Sequence, residues 1–200
     1  MTDIQGYVLA GGLSSRMGRS KAEIILGGKT LLERAIETMS RVSNDHVTVV
    51  VRSVDLLAAR IGCRVIEDRQ RGEDRASIFG LHTALTDSRA ELVAILAVDL
   101  PFVTADLFAR LLGFAGDNDA VVPLQTDGRP QPLAAIYRRE KCAALLGRLS
   151  AARDLRLTRM LGEMKAAFIK DLAPFDREKG LMNVNTFEDL EKAEEHVSRG

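Results

Sequence analysis

The sequence predicts an α/β fold of three layers, with helices on both faces of a mostly parallel sheet. Three observations predict it. Strand-like and helix-like segments alternate almost from the first residue, joined by short loops. The longest apolar run, Leu92 to Val98, is continuous rather than alternating, which marks a strand covered on both faces. Finally, a chain of 200 residues buries roughly 70% of the surface its unfolded form exposes, enough for a core without covalent staples.

Each element has its own reason. Ile4 to Ala10 reads as the first strand and runs into a glycine-rich loop. Thr30 opens a helix: with Glu33 it makes a capping-box pattern, and Leu32, Ala35, Ile36 and Met39 follow at helical spacing. His46 to Val51, rich in valine, is a second strand, Leu56 to Ile61 a short helix, and Arg64 to Glu67 a third strand. The charged stretch from Glu67 to Arg75 precedes an apolar helix running from Ser77 to Leu85. After the buried strand Leu92 to Val98, Thr104 caps a helix that buries Leu107, Phe108, Leu111 and Leu112. Ala120 to Pro123 and Leu133 to Tyr137 are two further strands. Residues 138–163 read as helical and Phe168 to Lys170 as a short strand. Thr186 caps a final helix with Asp189 at its third position. No repeat, linker or low-complexity stretch interrupts the pattern, so residues 1–200 are expected to form one domain.

Composition excludes several function classes. Hydrophobic residues make up 46% and charged ones 28%, which rules out a disordered or collagenous chain. The 28 basic and 28 acidic side chains cancel, so a generic electrostatic grip on nucleic acid is not expected and any anion site is local. The seven-residue run Leu92 to Val98 is far short of the ~20 apolar residues of a spanning helix, so no membrane association is expected. The N-terminus carries an early acid and no basic region, unlike a secretory signal. Cys63 and Cys142 lie far apart without ligand-type neighbours and read as free thiols of a cytoplasmic protein. His46, His82 and His196 complete neither a zinc pattern nor a nucleophile triad. Between residues 138 and 159, seven basic side chains face two acidic ones. This is either a solvated helical face or an anion-attracting wall.

The segment from Leu9 to Lys21 is the most informative. It leaves a first strand, where doubly wound sheets place phosphate sites. Gly11 and Gly12 let backbone amides approach phosphate oxygens, Ser14 and Ser15 donate hydrogen bonds, and Arg16 and Lys21 neutralise charge. Neither G-x-x-x-x-G-K-[ST] nor G-x-G-x-x-G is present. A flexible glycine turn with solvated basic residues is the alternative. Asp99 ends the buried strand, fixed by Pro101, at the rim where such sheets bind ligands. There it is either a hard oxygen ligand for Mg²⁺ or a turn or helix-cap aspartate before Thr104. Asn183 and Asn185 flank Val184 ahead of the last helix, so alternation puts both on one face, as phosphate or metal contacts or as a plain turn. Asp68 closes the third strand and by itself is an ordinary loop acid.

The wording L-A-G-G-x-S-x-R-M-G-x-x-K resembles the signature of small-molecule nucleotidyltransferases, most closely the molybdenum cofactor guanylyltransferase (MobA-like) family. The resemblance continues through Val65-Ile66-Glu67-Asp68, Val98-Asp99-Leu100-Pro101-Phe102-Val103, Gln131 to Tyr137 and Asn183 to Leu190, so it covers residues 4–195. It implies a Rossmann-like fold of the nucleotide-diphospho-sugar transferase type. It also implies transfer of GMP from GTP to the phosphate of molybdopterin, with release of pyrophosphate. Carried over by position, it implies catalytic roles for Arg16, Lys21 and Asp99. Nucleotide contacts fall on Leu9, Ala10, Gly11, Gly12, Lys21, Asp68, Gly80 and Asp99, and Mg²⁺ on Asp99 and Asn185. Molybdopterin, in this reading, is either free or delivered by a partner protein.

The lack of a candidate catalytic histidine or cysteine agrees with such a reaction. A phosphate monoester is already largely ionised near neutrality, since its second pKa is about 6, and needs no general base. The pattern departs in two places. Where family members carry a Gly-Pro-Leu-Ala-Gly loop against the base, this chain reads Ala76-Ser77-Ile78-Phe79-Gly80, with a serine that resembles the cytidylyl-transferring relatives. The asparagine after the second strand is replaced by Val51-Arg52-Ser53. Two alternatives therefore stay open: a nucleotidyltransferase with another base or acceptor (molybdopterin cytidylyltransferase, or a sugar- or alditol-phosphate enzyme), and a non-catalytic nucleotide-binding module.

Overall fold

The computed structural model describes residues 3–11, 20–52, 62–68, 77–151 and 156–198. The elements, in chain order, begin with β1 (Ile4–Leu9), a 3-10 turn (Lys21–Glu23), the small hairpin β2 (Ile25–Leu26) and β3 (Lys29–Thr30), and α1 (Leu31–Ser43). Next come β4 (Val47–Val51), β5 (Arg64–Glu67), α2 (Ser77–Asp87), β6 (Leu92–Ala97) and α3 (Ala105–Leu112). The chain then forms β7 (Ala120–Pro123), β8 (Ala134–Arg138), α4 (Arg139–Ala151), α5 (Leu157–Gly162), β9 (Ala166–Ile169), α6 (Arg177–Gly180) and α7 (Phe187–Ser198).

Among the described residues one seven-stranded sheet runs β5-β4-β1-β6-β8-β7-β9. β1 pairs in parallel with β4 and β6, β4 with β5, and β7 with β9, while β8 runs antiparallel to both its neighbours. The predicted mostly parallel α/β sheet is therefore present. Alternation along single strands makes the three layers. Val8, Leu96 and Val49 pack on one face against Leu31, Met39, Leu107 and Phe108 of α1 and α3. Tyr7, Ile95 and Val50 pack on the other face against Ile78, Leu81, Leu146 and Met160 of α2, α4 and α5. Every residue of β6 is buried, which is why its sequence does not alternate.

The capping box of α1 forms as expected: Glu33 N donates to Thr30 Oγ1 (3.1 Å) and Thr30 N to Glu33 Oε2 (2.7 Å). Other expectations need correction. Thr104 occupies the N-cap position of α3 but caps no amide; its hydroxyl turns to Asp106 Oδ2 at 3.4 Å. The helical reading of residues 138–163 holds, divided between α4 and α5. The last strand lies at 166–169 rather than 168–170, on the sheet edge, where Phe168 is exposed. The β2–β3 hairpin and α6 were not expected. The helix read at Leu56 to Ile61 lies outside the described residues, as does the charged stretch beyond Asp68. No helix among the described residues is long and apolar enough to cross a membrane, and Cys63 and Cys142 form no disulfide.

Candidate active site

Parallel β1, β4, β5 and β6 all end at one rim of the sheet, and the chain is tied there strand to strand. Ala10 N donates to Val50 O (2.8 Å), Asp68 N to Val51 O (2.6 Å) and Val98 N to Leu9 O (3.1 Å). Asp99 follows at once, in a tight turn closed by Leu100 N to Ala97 O (3.2 Å). Its carbonyl accepts from Val184 N (2.9 Å), which docks the segment before α7 against the end of β6.

Across this rim Lys21, on the 3-10 turn after the glycine loop, donates to Asp99 Oδ2 at 2.8 Å and to Asn185 Oδ1 at 2.5 Å. The lysine and aspartate side chains are 12% and 19% exposed. They are thus partly desolvated yet within reach of a ligand, where charge interactions outweigh those in open water. Asn185 is held by the cap of α7. Its N–H and that of Thr186 both donate to Asp189 Oδ2 (2.9 Å each), and Asp189 N donates to Thr186 Oγ1 (3.1 Å). Burial opposes ionisation of Asp189, but these donated hydrogen bonds outweigh it and hold the carboxyl below its usual range. Asp99 therefore is not a helix cap; its carboxylate faces a cation.

A second group lies on the β1–β5 side. Asp68 accepts from Thr83 Oγ1 (3.0 Å). A Cβ placed on Gly80 would lie 3.7 Å from Asp68 Oδ2 and from the Leu9 methyls, so these three residues converge. Gly80 belongs to the first turn of α2 rather than to a free loop. Gly11 packs under Arg52, whose Cγ would lie 3.1 Å from a Cβ there; the sequence marked Val51-Arg52-Ser53 as a departure but gave the arginine no role. Gly12 and Arg16 lie outside the described residues. The two asparagines line one cavity but have different partners: Asn185 reaches Lys21, whereas Asn183 Oδ1 accepts from Gln131 Nε2 (3.0 Å). Gln131 is a buried polar side chain whose partner sequence reasoning did not supply.

The donors fit a hard cation. The Asp99 carboxylate and the Asn185 amide carbonyl already converge on one positively charged nitrogen, and both are the oxygen type that Mg²⁺ prefers. Among the described residues no cluster of three or more His, Cys, Asp or Glu is suited to a metal. A site of this kind leaves the remaining positions to water and phosphate, as Mg²⁺ sites commonly do. Three of the seven basic side chains of 138–159 are paired locally: Arg138 with Glu91, Lys141 with Asp119 and Arg159 with Glu163.

Residues 6–167 match the family described as MobA-like NTP transferase domain. A Desulfosudis oleivorans protein named molybdenum cofactor guanylyltransferase is 30% identical over 211 residues, spanning 100% of this chain and 98% of its own. A Geobacillus protein named probable molybdenum cofactor guanylyltransferase is 29% identical over 194 residues, 95% of this chain and 99% of its own. Among solved structures, the molybdopterin-guanine dinucleotide biosynthesis protein A of Archaeoglobus fulgidus has a TM-score of 0.84 at 29% identity. That match covers 98% of this chain and 100% of the other.

Proposed function

Since the chain belongs to the family of MobA-like NTP transferase domains and is a nucleotidyltransferase, we propose that it transfers GMP from GTP to the phosphate of molybdopterin. The observation that carries this reading is the convergence of Lys21, Asp99 and Asn185 at the carboxyl rim of the parallel strands, beside the end of β1. An oxygen of the acceptor phosphate forms a bond to the α-phosphorus. The bond from that phosphorus to the β-phosphate oxygen breaks, and pyrophosphate leaves with the electron pair. Because the attacking phosphate is already an anion, no side chain has to remove a proton. The work left to the protein is positioning and charge stabilisation.

Backbone groups of Leu9 to Gly12 dock the nucleotide, with Asp68 and Gly80 beside its base and sugar. Lys21, already fixed by two oxygen acceptors, stands where its ammonium meets phosphate oxygens, and Arg16 adds a second positive charge. Asp99 and Asn185 would hold Mg²⁺, which when bound neutralises phosphate charge. Removing one preorganised charge contact of this kind typically costs about 3–4 kcal/mol of transition-state stabilisation. The reaction belongs to a cytoplasmic protein, with molybdopterin arriving free or from a partner. The test is pyrophosphate release from GTP with Mg²⁺: release that depends on added molybdopterin supports the reading, and release that ignores it counts against the acceptor.

A further inference from the structure

The two oxygens suited to a divalent cation are held by the backbone beneath them. Asp99 lies in the turn closed by Leu100 N to Ala97 O (3.2 Å), and Asn185 is tied through its own N–H to Asp189 Oδ2 (2.9 Å). Between them Val184, wholly buried, donates its N–H to Asp99 O (2.9 Å) and locks one segment to the other. The Asp99 carboxylate and the Asn185 carbonyl thus converge because their main chains do.

The third member of the cluster is of another kind. The 3-10 turn anchors the Lys21 backbone, with Ala22 only 2% exposed beside it, but the ammonium rides on a flexible four-carbon stem. It donates to Asp99 Oδ2 (2.8 Å) and to Asn185 Oδ1 (2.5 Å), and so fills the place of a divalent cation shared by these two oxygens. The two cations exclude each other, because like charges within about 4 Å repel strongly where water is partly displaced. One carboxylate is also a poor match for a dication, and among the described residues no cluster of three or more His, Cys, Asp or Glu supplements it. A nucleoside triphosphate changes that balance, since its phosphate oxygens supply ligands for the metal and a new partner for the ammonium.

We propose that Lys21 is the resident cation of this site: without nucleotide its ammonium holds the place between Asp99 and Asn185 against divalent cations, and it swings to the phosphates when the metal arrives with the triphosphate. The fixed pair of oxygens exchanges one cation for another, and the flexible stem of Lys21 is the part that moves. Metal and nucleotide therefore enter together, and Lys21 returns to Asp99 when pyrophosphate carries the metal away. The proposal rests on the metal assignment within the function proposed above.

The experiment uses Mn²⁺, which takes the same hard oxygen ligands as Mg²⁺, and counts the unbound ion by its electron paramagnetic resonance signal. Wild type is compared with Lys21→Met, with Lys21→Gln, which keeps a donor for Asp99, and with Lys21→Met/Asp99→Asn. Without nucleotide, both single variants should bind Mn²⁺ about tenfold or more tightly than wild type, and the double variant should lose that gain. The calorimetric Kd for GTP in the presence of Mn²⁺ should move the opposite way, weakening about tenfold in Lys21→Met. A general disturbance of the site would weaken both. Mn²⁺ affinity that fails to rise in either folded single variant overturns the proposal. So does a gain that survives in the double variant, which would put the ion elsewhere, or an unchanged Kd for GTP, which would leave Lys21 on Asp99 throughout. The Mn²⁺ measurement involves neither base nor acceptor. A protein that shows the exchange yet makes no dinucleotide therefore supports this proposal and defeats the function proposed above.

Discussion

Lys21 and Asp99 are 78 positions apart in sequence and 2.8 Å apart in space. Asp99→Ala leaves the Lys21 ammonium with only the Asn185 carbonyl of its two acceptors. The stability cost should be about 1–2 kcal/mol, between the values for exposed and buried pairs. Turnover should fall more than tenfold, a loss above ~1.4 kcal/mol. Thermal melts and steady-state rates on the same preparation check both, and a variant that keeps more than a tenth of wild-type turnover removes Asp99 from the chemistry. Gly80→Ala separates fold from function in a different way. A Cβ there meets Asp68 and Leu9 at ordinary contact distance, 3.7 Å. The helix should be unharmed or firmer, by up to ~1 kcal/mol, while KM for GTP rises because the methyl occupies room the nucleotide needs. An unchanged KM would show that Gly80 does not line the nucleotide site. The rim residues were legible singly, because each sits at a strand end or in a distinctive loop. Their pairing was not. The Lys21–Asn185 contact joins positions 164 apart, which no local pattern encodes.

Elements were legible where one local rule decided them. Thr30 with Glu33 and Thr186 with Asp189 both form the caps their spacing predicts. β9 was misread because its first two residues, Ala166 and Ala167, are small and carry little signal: the conspicuous pair Phe168 and Ile169 closes the strand, so the apolar signal drifted toward the C-terminal end. The β2–β3 hairpin had a usable signal in Gly27-Gly28, whose φ values of +57° and +81° suit a two-residue turn. The junction of β7, α4 and β9 carries a pH prediction. Lys141 pairs with Asp119 at 2.8 Å and Lys165 N donates to its other oxygen at 3.1 Å. The Lys141 hydrogen bond, with the Lys165 amide, holds the carboxyl below its usual range despite burial. A carboxyl depressed in the folded state contributes stability that is complete above its unfolded pKa and disappears as pH falls through the folded one. Asp119→Asn should therefore melt below wild type at about pH 6 and converge with it toward about pH 3. A constant gap across that range would mean the charge contributes nothing.

At the scale of the molecule, the sheet sorts the chemistry. Parallel strands bring Leu9, Asp68 and Asp99 to one rim, and the reversed β8 turns the chain back so that Gln131 and the segment before α7 flank that rim. The alternation of elements and the unbroken apolar run of β6 made this architecture readable from sequence. Base choice was not readable, since Ala76 to Gly80 departs from the family's wording. Backbone donors survive a change of side chain, however, and a site built for hydrogen bonds rejects bases that leave them unpaired. The most direct test of the account supplies molybdopterin and Mg²⁺ with GTP and CTP at equal concentration and identifies the dinucleotide by mass. The predicted product is the guanine dinucleotide, formed with one pyrophosphate per turnover and with a higher kcat/KM for GTP. A predominantly cytosine product, or no dinucleotide from either nucleotide, would contradict it.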